Sequence, residues 1–428
     1  MNISEYIKDQ LRHTGVNRYL KNLSWMFFAR LATMVISFIA VAYIARNLGP
    51  SNYGELSYAV SYTSLFAFIA SLGIEQVLYR EILAHPEKRN ALMSTALMLR
   101  MVAGGFAAFL GVSIALLISS PQLSILLIVI LSTSFFFSTF QLLGQEFQAD
   151  VRAKSPSLLA VVVTLILNIL KIVVIAMDQG VLYLALVLAL EPILYGIGYI
   201  WLRTKYYGRI NLFVFDASLA KTILIDALPL TFVTAFSMIY ARIDQVLINH
   251  MINTTSVGFY DVAVRLSEVW YFIPNIIVAG LFPALMNAKS DSITMFAKRT
   301  RMLIFAIASI SVAIAIITTL TSNIIVGIVF GNDFFEASSV LKIYIWSNIG
   351  IGIHLVLHYV LIAEKMSKYI AFSAFLGMVV NILLNLMLIP TLGMHGAALA
   401  SVIAYVIPLT ALTFFKKPRA LLSAILRG

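Results

Sequence analysis

Eight charged side chains lie inside stretches of sequence that are otherwise apolar. The cations are Arg30, Arg100, Lys171, Arg242 and Arg265, and the acids are Glu191, Asp244 and Glu268. A charge at membrane depth is expensive, so such residues usually face the interior of a helix bundle or a wet cavity. The cations outnumber the acids by two, 5 − 3. We therefore expect a cationic cavity that binds an anionic ligand, with the acids as candidates for carrying a coupling ion.

Some of these charges have a simpler structural interpretation, in which neighbours on one helix neutralise each other. Asp261, Arg265 and Glu268 follow each other at spacings of four and three residues. Residues at these spacings meet on one helix face and can form ion pairs. Arg30 and Arg100 have no acid within one turn of their own helix, which favours a cavity-facing role for both.

The other four charges are Lys171, Arg242, Asp244 and Glu191, and two of them leave two interpretations open. Lys171 can line a cavity or extend its ammonium group to the headgroup region. Asp244 lies two residues from Arg242 and therefore on another helix face, so its partner must come from another helix. Glu191 precedes Pro192 within an apolar stretch and is either a proton carrier or a salt-bridge partner.

The elements that position these charges are membrane-spanning helices. The 428 residues are 61% hydrophobic and only 11% charged, against about 25% charged in soluble proteins. A helix that crosses a bilayer needs about 20 apolar residues. Twelve segments qualify: Asn22–Ala45, Gly54–Leu78, Leu92–Ser119, Gln122–Gln145, Ser157–Met177, Val181–Leu202, Ala227–His250, Val257–Met286, Met302–Phe330, Ser338–Ala363, Tyr369–Pro390 and Gly396–Phe415. The sequence therefore predicts an all-α polytopic membrane protein.

The remaining basic residues predict the orientation of these helices. They concentrate before the first segment, in every second connection and after the last segment; examples are Lys8, Arg12, Arg89, Arg203, Lys289 and Lys416. Connections rich in Lys and Arg face the cytoplasm. Both termini are therefore predicted to be cytoplasmic. The net charge of +11 then reflects topology and contact with anionic lipids, which argues against nucleic-acid binding.

Several classes of chemistry have no support in the sequence. There is no cysteine, and no G-x-x-x-x-G-K-S/T loop for a nucleotide. His354 and His358 have zinc-ligand spacing on one helix face, but no third ligand is near them in sequence. No connection between helices is long enough for a catalytic domain. We expect a secondary transporter rather than an enzyme, with no cofactor and no metal.

Weak internal similarity indicates two halves with the same orientation. A shift of 204 residues aligns Gly54 with Gly258, and a shift of 213 residues aligns Asn168 with Asn381. Parallel repeats place a substrate path between two halves that rock against each other. We predict an N-terminal lobe of helices 1–6 in residues 1–215, and a C-terminal lobe of helices 7–12 in residues 216–428.

The stretch from Ala45 to Ile82, ARNLGPSNYGELSYAVSYTSLFAFIASLGIEQVLYREI, carries a family resemblance. Its R-x-L-G-P-x-x-Y-G run and the L-G that ends the second helix resemble the signature of Wzx-type polysaccharide flippases. These belong to the multidrug/oligosaccharidyl-lipid/polysaccharide (MOP) exporter superfamily. Two further stretches resemble the same family: ARIDQVLINHMINTTSVGFYDVAVRLSEVWYFIPNIIVAGLFPAL, which begins at Ala241, and NLMLIPTLGMHGAALASVIAY, which ends at Tyr405.

The resemblance implies two six-helix lobes that form a V around a central cavity, as in MATE-type transporters. It implies a polyprenyl-diphosphate-linked oligosaccharide, such as an O-antigen repeat unit of lipopolysaccharide, flipped from the cytoplasmic to the periplasmic face of the bacterial inner membrane. It also implies ion-coupled alternating access, and a polysaccharide polymerase and a chain-length regulator as partners. Arg30 would then bind the diphosphate, because guanidinium groups pair well with phosphate.

Three alternatives stay open at this stage. A multidrug antiporter of the same fold exports cations and should have an acidic cavity, which the excess of buried cations disfavours. The peptidoglycan-precursor flippases typically have two more helices than the twelve predicted here. A non-transporting scaffold of a polysaccharide assembly complex has no need of charges within the membrane.

Overall fold

A computed structural model describes residues 14–118, 121–209, 214–364 and 366–427. Within these ranges the chain is almost entirely helical and contains no strand. The prediction of an all-α membrane protein is confirmed. The basic residues Lys8 and Arg12, on which part of the predicted orientation depends, lie outside the described residues.

Seventeen α-helices are found in the described residues. They are α1 Thr14–Ser64, α2 Ala67–Ser71, α3 Ile74–Ala84, α4 Arg89–Leu117, α5 Gln122–Phe137, α6 Gly144–Ala149, α7 Lys154–Ala176, α8 Gly180–Tyr207, α9 Ala217–Met251, α10 Thr254–Glu268, α11 Phe272–Asp291, α12 Ile293–Val329, α13 Ala337–Tyr344, α14 Ser347–Ala363, α15 Ser367–Leu392, α16 Met394–Ala411 and α17 Lys416–Arg427. Short 3-10 segments join several of them, among them Ser138–Leu143 and Val269–Tyr271.

Eleven helical stretches in the described residues are long and apolar enough to cross a membrane, where the sequence predicts twelve. The difference arises in α1, which covers the first predicted segment and the start of the second without a loop. The chain bends inside α1 at Gly49, whose φ of 71° is accessible to glycine at little cost, and Pro50 begins the next helical turn. The second predicted segment is interrupted further on, because Leu72 and Gly73 adopt left-handed conformations between α2 and α3.

Backbone contacts divide the chain into two compact units. Unit 1 comprises Met1–Asn47 and Phe66–Thr231, and unit 2 comprises Leu48–Leu65 and Phe232–Gly428. These units differ from the predicted lobes 1–215 and 216–428 at two places. The end of α1 packs in unit 2, and the first half of α9 packs in unit 1.

The main core of unit 1 explains why the first half of α9 belongs there. Ile223 and Ala227 of α9 are almost fully buried and pack with Leu78 of α3 and Leu92 of α4. Burying such side chains contributes about 1.5–3 kcal/mol each for the larger ones. Because of this apolar packing, the boundary between the units lies at Thr231, within α9, and not at residue 215.

In unit 2, the end of α1 packs against α10 at very short range. A Cβ atom on Gly54 would lie 1.9 Å from the carbonyl oxygen of Thr254, and one on Gly258 would lie 2.2 Å from the carbonyl oxygen of Pro50. Only glycine permits this approach. Thr254 and Gly258 lie 204 residues after Pro50 and Gly54, so the two helices meet through the aligned positions of the predicted repeat.

Candidate functional site

A polar cavity of about 880 Å³ lies within unit 1. Arg30 and Glu191, two of the predicted site residues, both line it. The other polar lining residues are neutral: Asn22, Thr33, Ser37, Tyr79, Gln141, Gln145, Gln148, Ser157, Thr164, Tyr195 and Tyr199. The cavity thus combines one guanidinium and one carboxylate with many amide and hydroxyl groups.

Local helix geometry presents these groups to the cavity. Gln141 lies in the 3-10 segment after α5, and Gln145 and Gln148 follow in α6, so three amides recur at spacings of four and three residues. On α8, Tyr195 and Tyr199 are one turn apart and stack with ring centroids 6.3 Å apart. The many hydrogen-bonding side chains in the lining suit a polar ligand.

The wall of the cavity around Arg30 is anchored by a hydrogen bond between distant segments. The backbone N–H of Ala153 donates to Oδ1 of Asn22 at 2.5 Å. Lys154, the first residue of α7, lies with its ammonium group 5.4 Å from the centre of the Trp25 ring. These contacts hold the part of α1 around Asn22 against the start of α7, and Arg30, about two turns further along α1, is exposed.

Arg100, the other cation for which the sequence favours a cavity role, is paired instead. Its side chain is 6% exposed, and its NH1 lies 3.1 Å from Oε1 of Glu75 on α3. Arg100 does not line the polar cavity. The sequence does not reveal this pair, because Glu75 precedes Arg100 by 25 residues and belongs to another helix.

In unit 2 the remaining cations are close to acids. Arg265, which the sequence leaves as either a cavity residue or an ion-pair member, pairs with Asp261, with Nε of Arg265 2.5 Å from Oδ2 of Asp261. Glu268 lies 3.8 Å from Arg242, both side chains being about one third exposed. Lys171 of α7 is half-buried in unit 1 and does not line the polar cavity.

Asp261 is the centre of a larger network that the spacing of charges did not reveal. It is 1% exposed, and its Oδ2 accepts hydrogen bonds from the hydroxyls of Tyr53 at 2.5 Å and Ser57 at 3.2 Å. Its Oδ1 accepts one from Nε2 of Gln245 at 3.0 Å. The end of α1 is therefore tied to α9 and α10 by a charged, fully satisfied cluster.

Asp244 is buried in unit 2 without a cation at ion-pair distance in the described part of the chain. Its Oδ2 accepts hydrogen bonds from the hydroxyls of Tyr260 and Ser401, both at 2.5 Å. Its Oδ1 accepts one from Nδ2 of Asn385 at 2.7 Å. As predicted, the partners of Asp244 come from other helices, but they are neutral groups rather than cations.

No spacing in the sequence predicts the shell around Asp244, because its members lie on α10, α15 and α16. The polar cavity had a clearer signal. Gln141, Gln145 and Gln148 recur at spacings of four and three residues within the predicted fourth segment and just beyond its end. Within the described residues, no group of three or more His, Asp and Glu side chains is arranged to hold a metal ion.

Comparisons with known proteins identify the family of this chain. A family model described as "Polysaccharide biosynthesis protein" matches residues 19–289, and one described as "Lipid II flippase MurJ" matches residues 199–426. The capsular polysaccharide biosynthesis protein CapF of Staphylococcus aureus is 23% identical over 407 residues, which is 93% of this chain and 99% of that protein.

Two solved structures have the same fold. An inward-facing multidrug resistance MATE family transporter of the MOP superfamily superposes with a TM-score of 0.76 at 15% identity, covering 92% of this chain and 96% of that one. The lipid II flippase MurJ in an inward closed conformation has a TM-score of 0.70 at 16% identity, covering 95% and 90%. The family resemblance of the stretch from Ala45 to Ile82 is thereby confirmed along the chain. The protein belongs to the polysaccharide biosynthesis protein family, and it is a multi-pass membrane transport protein rather than an enzyme.

Proposed function

We propose that this protein flips a polyprenyl-diphosphate-linked oligosaccharide, the repeat unit of an O-antigen or related surface polysaccharide, from the cytoplasmic to the periplasmic face of the bacterial inner membrane. The observation that carries the proposal is the cavity of unit 1. It offers an exposed guanidinium among neutral amides, phenols and hydroxyls. A ligand with an anionic group beside many sugar hydroxyls matches both parts of this lining.

Arg30 is the proposed ligand of the diphosphate. Its side chain is exposed and lines the cavity, and no ion pair holds it within the described residues. A guanidinium can donate two parallel hydrogen bonds to phosphate oxygens, and such charged hydrogen bonds are about twice as strong as neutral ones. Arg100, Arg242 and Arg265 already have carboxylate partners, which makes them weaker candidates for direct contact with the substrate.

Glu191 faces the same cavity. A carboxylate there would repel the diphosphate if both were ionised and nearby. We infer that this repulsion links the charge on Glu191 to the occupancy of the cavity. This role keeps Glu191 a candidate for coupling rather than for direct substrate recognition.

Asp244 is the second candidate for coupling. Burial without a counter-charge disfavours an ionised carboxylate, so a proton or a bound cation would stabilise Asp244. Three neutral donors surround it, and Oδ1 of Asn385 is buried without a hydrogen-bond partner among the described residues. We infer that Asp244 carries the coupling ion, a proton or a small monovalent cation. Glu268 is less suited, because Arg242 lies within ion-pair distance.

The mechanism proposed is alternating access between two six-helix lobes, with both termini in the cytoplasm and the basic connections against anionic lipids. The lipid tail stays in the bilayer while the diphosphate and sugars cross. A polysaccharide polymerase and a chain-length regulator are the proposed partners on the periplasmic side. The ordered polar groups of the cavity of unit 1 would replace water around the substrate.

The experiment that tests the function is deletion of the gene in its host with complementation. We expect surface polysaccharide to be lost and lipid-linked oligosaccharide to accumulate on the cytoplasmic face. The wild-type gene should restore surface polysaccharide and remove the accumulated oligosaccharide, and the gene for Arg30→Ala at equal expression should do neither. Normal surface polysaccharide with altered resistance to cationic drugs would contradict the proposal and favour an antiporter.

The coupling role is tested separately in proteoliposomes. We expect Asp244→Asn to bind the lipid-linked oligosaccharide normally but to lose the acceleration of transport by an imposed ion gradient. A proton gradient and a sodium gradient are applied in turn, which identifies the ion. Transport by Asp244→Asn that still responds fully to both gradients would rule out this residue as the coupling site.

A further inference from the structure

A second cavity, of about 310 Å³, lies within unit 2 and is lined by uncharged side chains. Its polar lining includes Ser237, Trp270, Asn275, Asn348, His354 and His358. The volume is at the lower end of the range of about 300–1,000 Å³ that is usual for small-molecule sites. It holds none of the charged residues on which the proposed function rests.

Several hydrogen-bonding groups of this cavity are unused. Among the described residues, the hydroxyl of Ser237, the indole N–H of Trp270 and the imidazoles of His354 and His358 form no hydrogen bond within the protein. In contrast, Asn348 exchanges hydrogen bonds with Ser267. Polar groups in a membrane-spanning region are costly unless they have a partner, so the unused groups require water or a ligand.

The arrangement of these groups is specific. His354 and His358 are one helical turn apart on α14 and therefore point from one face. Trp270 lies in the 3-10 segment between α10 and α11, and Ser237 lies on α9. Donors and acceptors thus approach the cavity from three elements, with an aromatic side chain among them.

The chemistry of the lining selects the class of ligand. No Lys, Arg, Asp or Glu belongs to it, so neither an anion nor a cation would find a counter-charge there. A metal ion would have two imidazoles but no third His, Asp or Glu ligand in the described part of the chain. A neutral ligand with many hydroxyl groups and an apolar ring face fits all of the lining groups.

We propose that this cavity of unit 2 binds one uncharged sugar residue of the oligosaccharide. The C–H face of the pyranose packs on the indole of Trp270, while its hydroxyls bond to Ser237 and to the two imidazoles. The inference rests on the proposed function, because the sugar is that of the transported substrate. It adds a site for recognition of the glycan that is separate from Arg30.

The test uses the full-length protein in lipid nanodiscs with Trp270 as its single tryptophan. Trp25→Phe, Trp201→Phe and Trp346→Phe remove the other three indoles. The first probe is the oligosaccharide released by mild acid from the host's lipid-linked pool, which has neither diphosphate nor lipid. The second is undecaprenyl diphosphate without sugar. A protein that retains only Trp346, which does not line the cavity, is the matched control.

We expect the oligosaccharide to change the emission of Trp270 saturably and to leave that of Trp346 unchanged. His358→Phe should weaken this binding about tenfold, because that factor corresponds to the loss of one good hydrogen bond. His85→Phe, at an exposed loop, should leave it unchanged. Arg30→Ala should weaken binding of undecaprenyl diphosphate and leave the response of Trp270 to the oligosaccharide intact. The measurement on Trp270 with an unaltered cavity remains informative even if His358→Phe does not fold.

Two results would overturn the proposed sugar site. One is the absence of a Trp270 response at saturating oligosaccharide. The other is an equal response to undecaprenyl diphosphate, which would mean that lipid fills the cavity. Neither result bears on the flippase function itself, which is decided by the deletion strain and by Arg30.

Discussion

The hydroxyl of Ser57 donates a hydrogen bond to Oδ2 of Asp261 at 3.2 Å, and the two residues are 204 positions apart. This separation is the shift that aligns the two halves of the sequence. Gly54 and Gly258, one turn earlier on each helix, are in direct contact with the same shift. The end of α1 and the start of α10 therefore meet through equivalent positions, as expected of an internal duplication.

The glycine contact gives the first prediction. Gly258→Ala places a methyl group 2.2 Å from the carbonyl oxygen of Pro50, and the backbone must move to relieve this overlap. We expect a destabilisation of about 1–3 kcal/mol, seen as a lower melting temperature in detergent. Gly280→Ala is the control, because a Cβ there meets nothing within 4 Å. Equal melting temperatures for the two variants would contradict the close approach of α1 and α10 at Gly258.

The Asp261 network gives the second prediction. Asp261→Asn removes the charge that faces Arg265 and accepts from Tyr53. Because the Arg265 side chain is one third exposed, we expect a loss of about 2–3 kcal/mol, below that of a fully buried ion pair. Ser57→Ala removes one hydroxyl donor of the same network, at the longer distance of 3.2 Å, and should cost only about 1 kcal/mol. Thermal unfolding of both variants checks this order. A loss for Asp261→Asn no larger than that for Ser57→Ala would mean that solvent screens the carboxylate.

Substitution by alanine is expected to affect transport at Arg30 and stability at Arg100. Arg30 is exposed in the cavity of unit 1, so Arg30→Ala should leave stability within about 0.5 kcal/mol of wild type. Its transport of the lipid-linked oligosaccharide should fall at least about tenfold, the equivalent of about 1.4 kcal/mol. Arg100→Ala leaves Glu75 without its partner and should lower the melting temperature.

Melting curves and transport in proteoliposomes separate these two effects. Arg30→Lys tests geometry, because an ammonium group keeps the charge but not the paired donors. A stable Arg100→Ala protein that has lost transport, together with an active Arg30→Ala protein, would exchange the roles assigned to the two residues.

The fourth prediction contrasts a buried ion pair with an exposed one in unit 1. Arg203 and Glu146 are 1% and 0% exposed, with Nε and Oε2 3.2 Å apart. Glu146→Gln should therefore destabilise by about 3–5 kcal/mol. Arg80 is 59% exposed and pairs with Asp226, so Arg80→Gln should cost at most about 1 kcal/mol. Chemical denaturation of both variants in one detergent measures the free energy of unfolding. Similar losses of this free energy would contradict the burial of the pair of Arg203 and Glu146.

The fifth prediction concerns the dependence of stability on pH. Asp150, between α6 and α7, pairs with Arg89, the first residue of α4. Burial raises the pKa of Asp150, but the hydrogen bonds from Arg89 and Tyr207 outweigh it and hold this pKa below its ordinary value. The unfolded chain then takes up the proton first as the pH falls. The stability that the carboxylate contributes is complete above the unfolded pKa of about 3.9 and is lost as the pH falls through the folded pKa.

The measurement is the difference in melting temperature between wild type and Asp150→Asn. This difference should be constant from about pH 8 to pH 5 and should narrow below about pH 4. Narrowing already near neutral pH would place the pKa of Asp150 above its ordinary value and refute the pairing. The size of the effect should be about 1 kcal/mol or less, because both side chains are about one quarter exposed.

The sequence by itself determined the class of the protein and its local pairings. Apolar runs of membrane length depend only on composition, and the pair of Asp261 with Arg265 depends only on a spacing of four residues along one helix. The spacing of Gln141, Gln145 and Gln148, which line the same cavity as Arg30, is also visible in the sequence. The family signature after Ala45 needed no structure either.

Only the tertiary structure decided which charges are paired across helices. Arg100 finds Glu75, and Asp244 finds Ser401, through contacts between segments that are 25 and 157 residues apart. Helix periodicity specifies which face a residue lies on but not which helix that face meets. For the same reason the assignment of residues 48–65 to unit 2 follows from the bend at Gly49 and the close approach at Gly54, neither of which the hydropathy of the chain records.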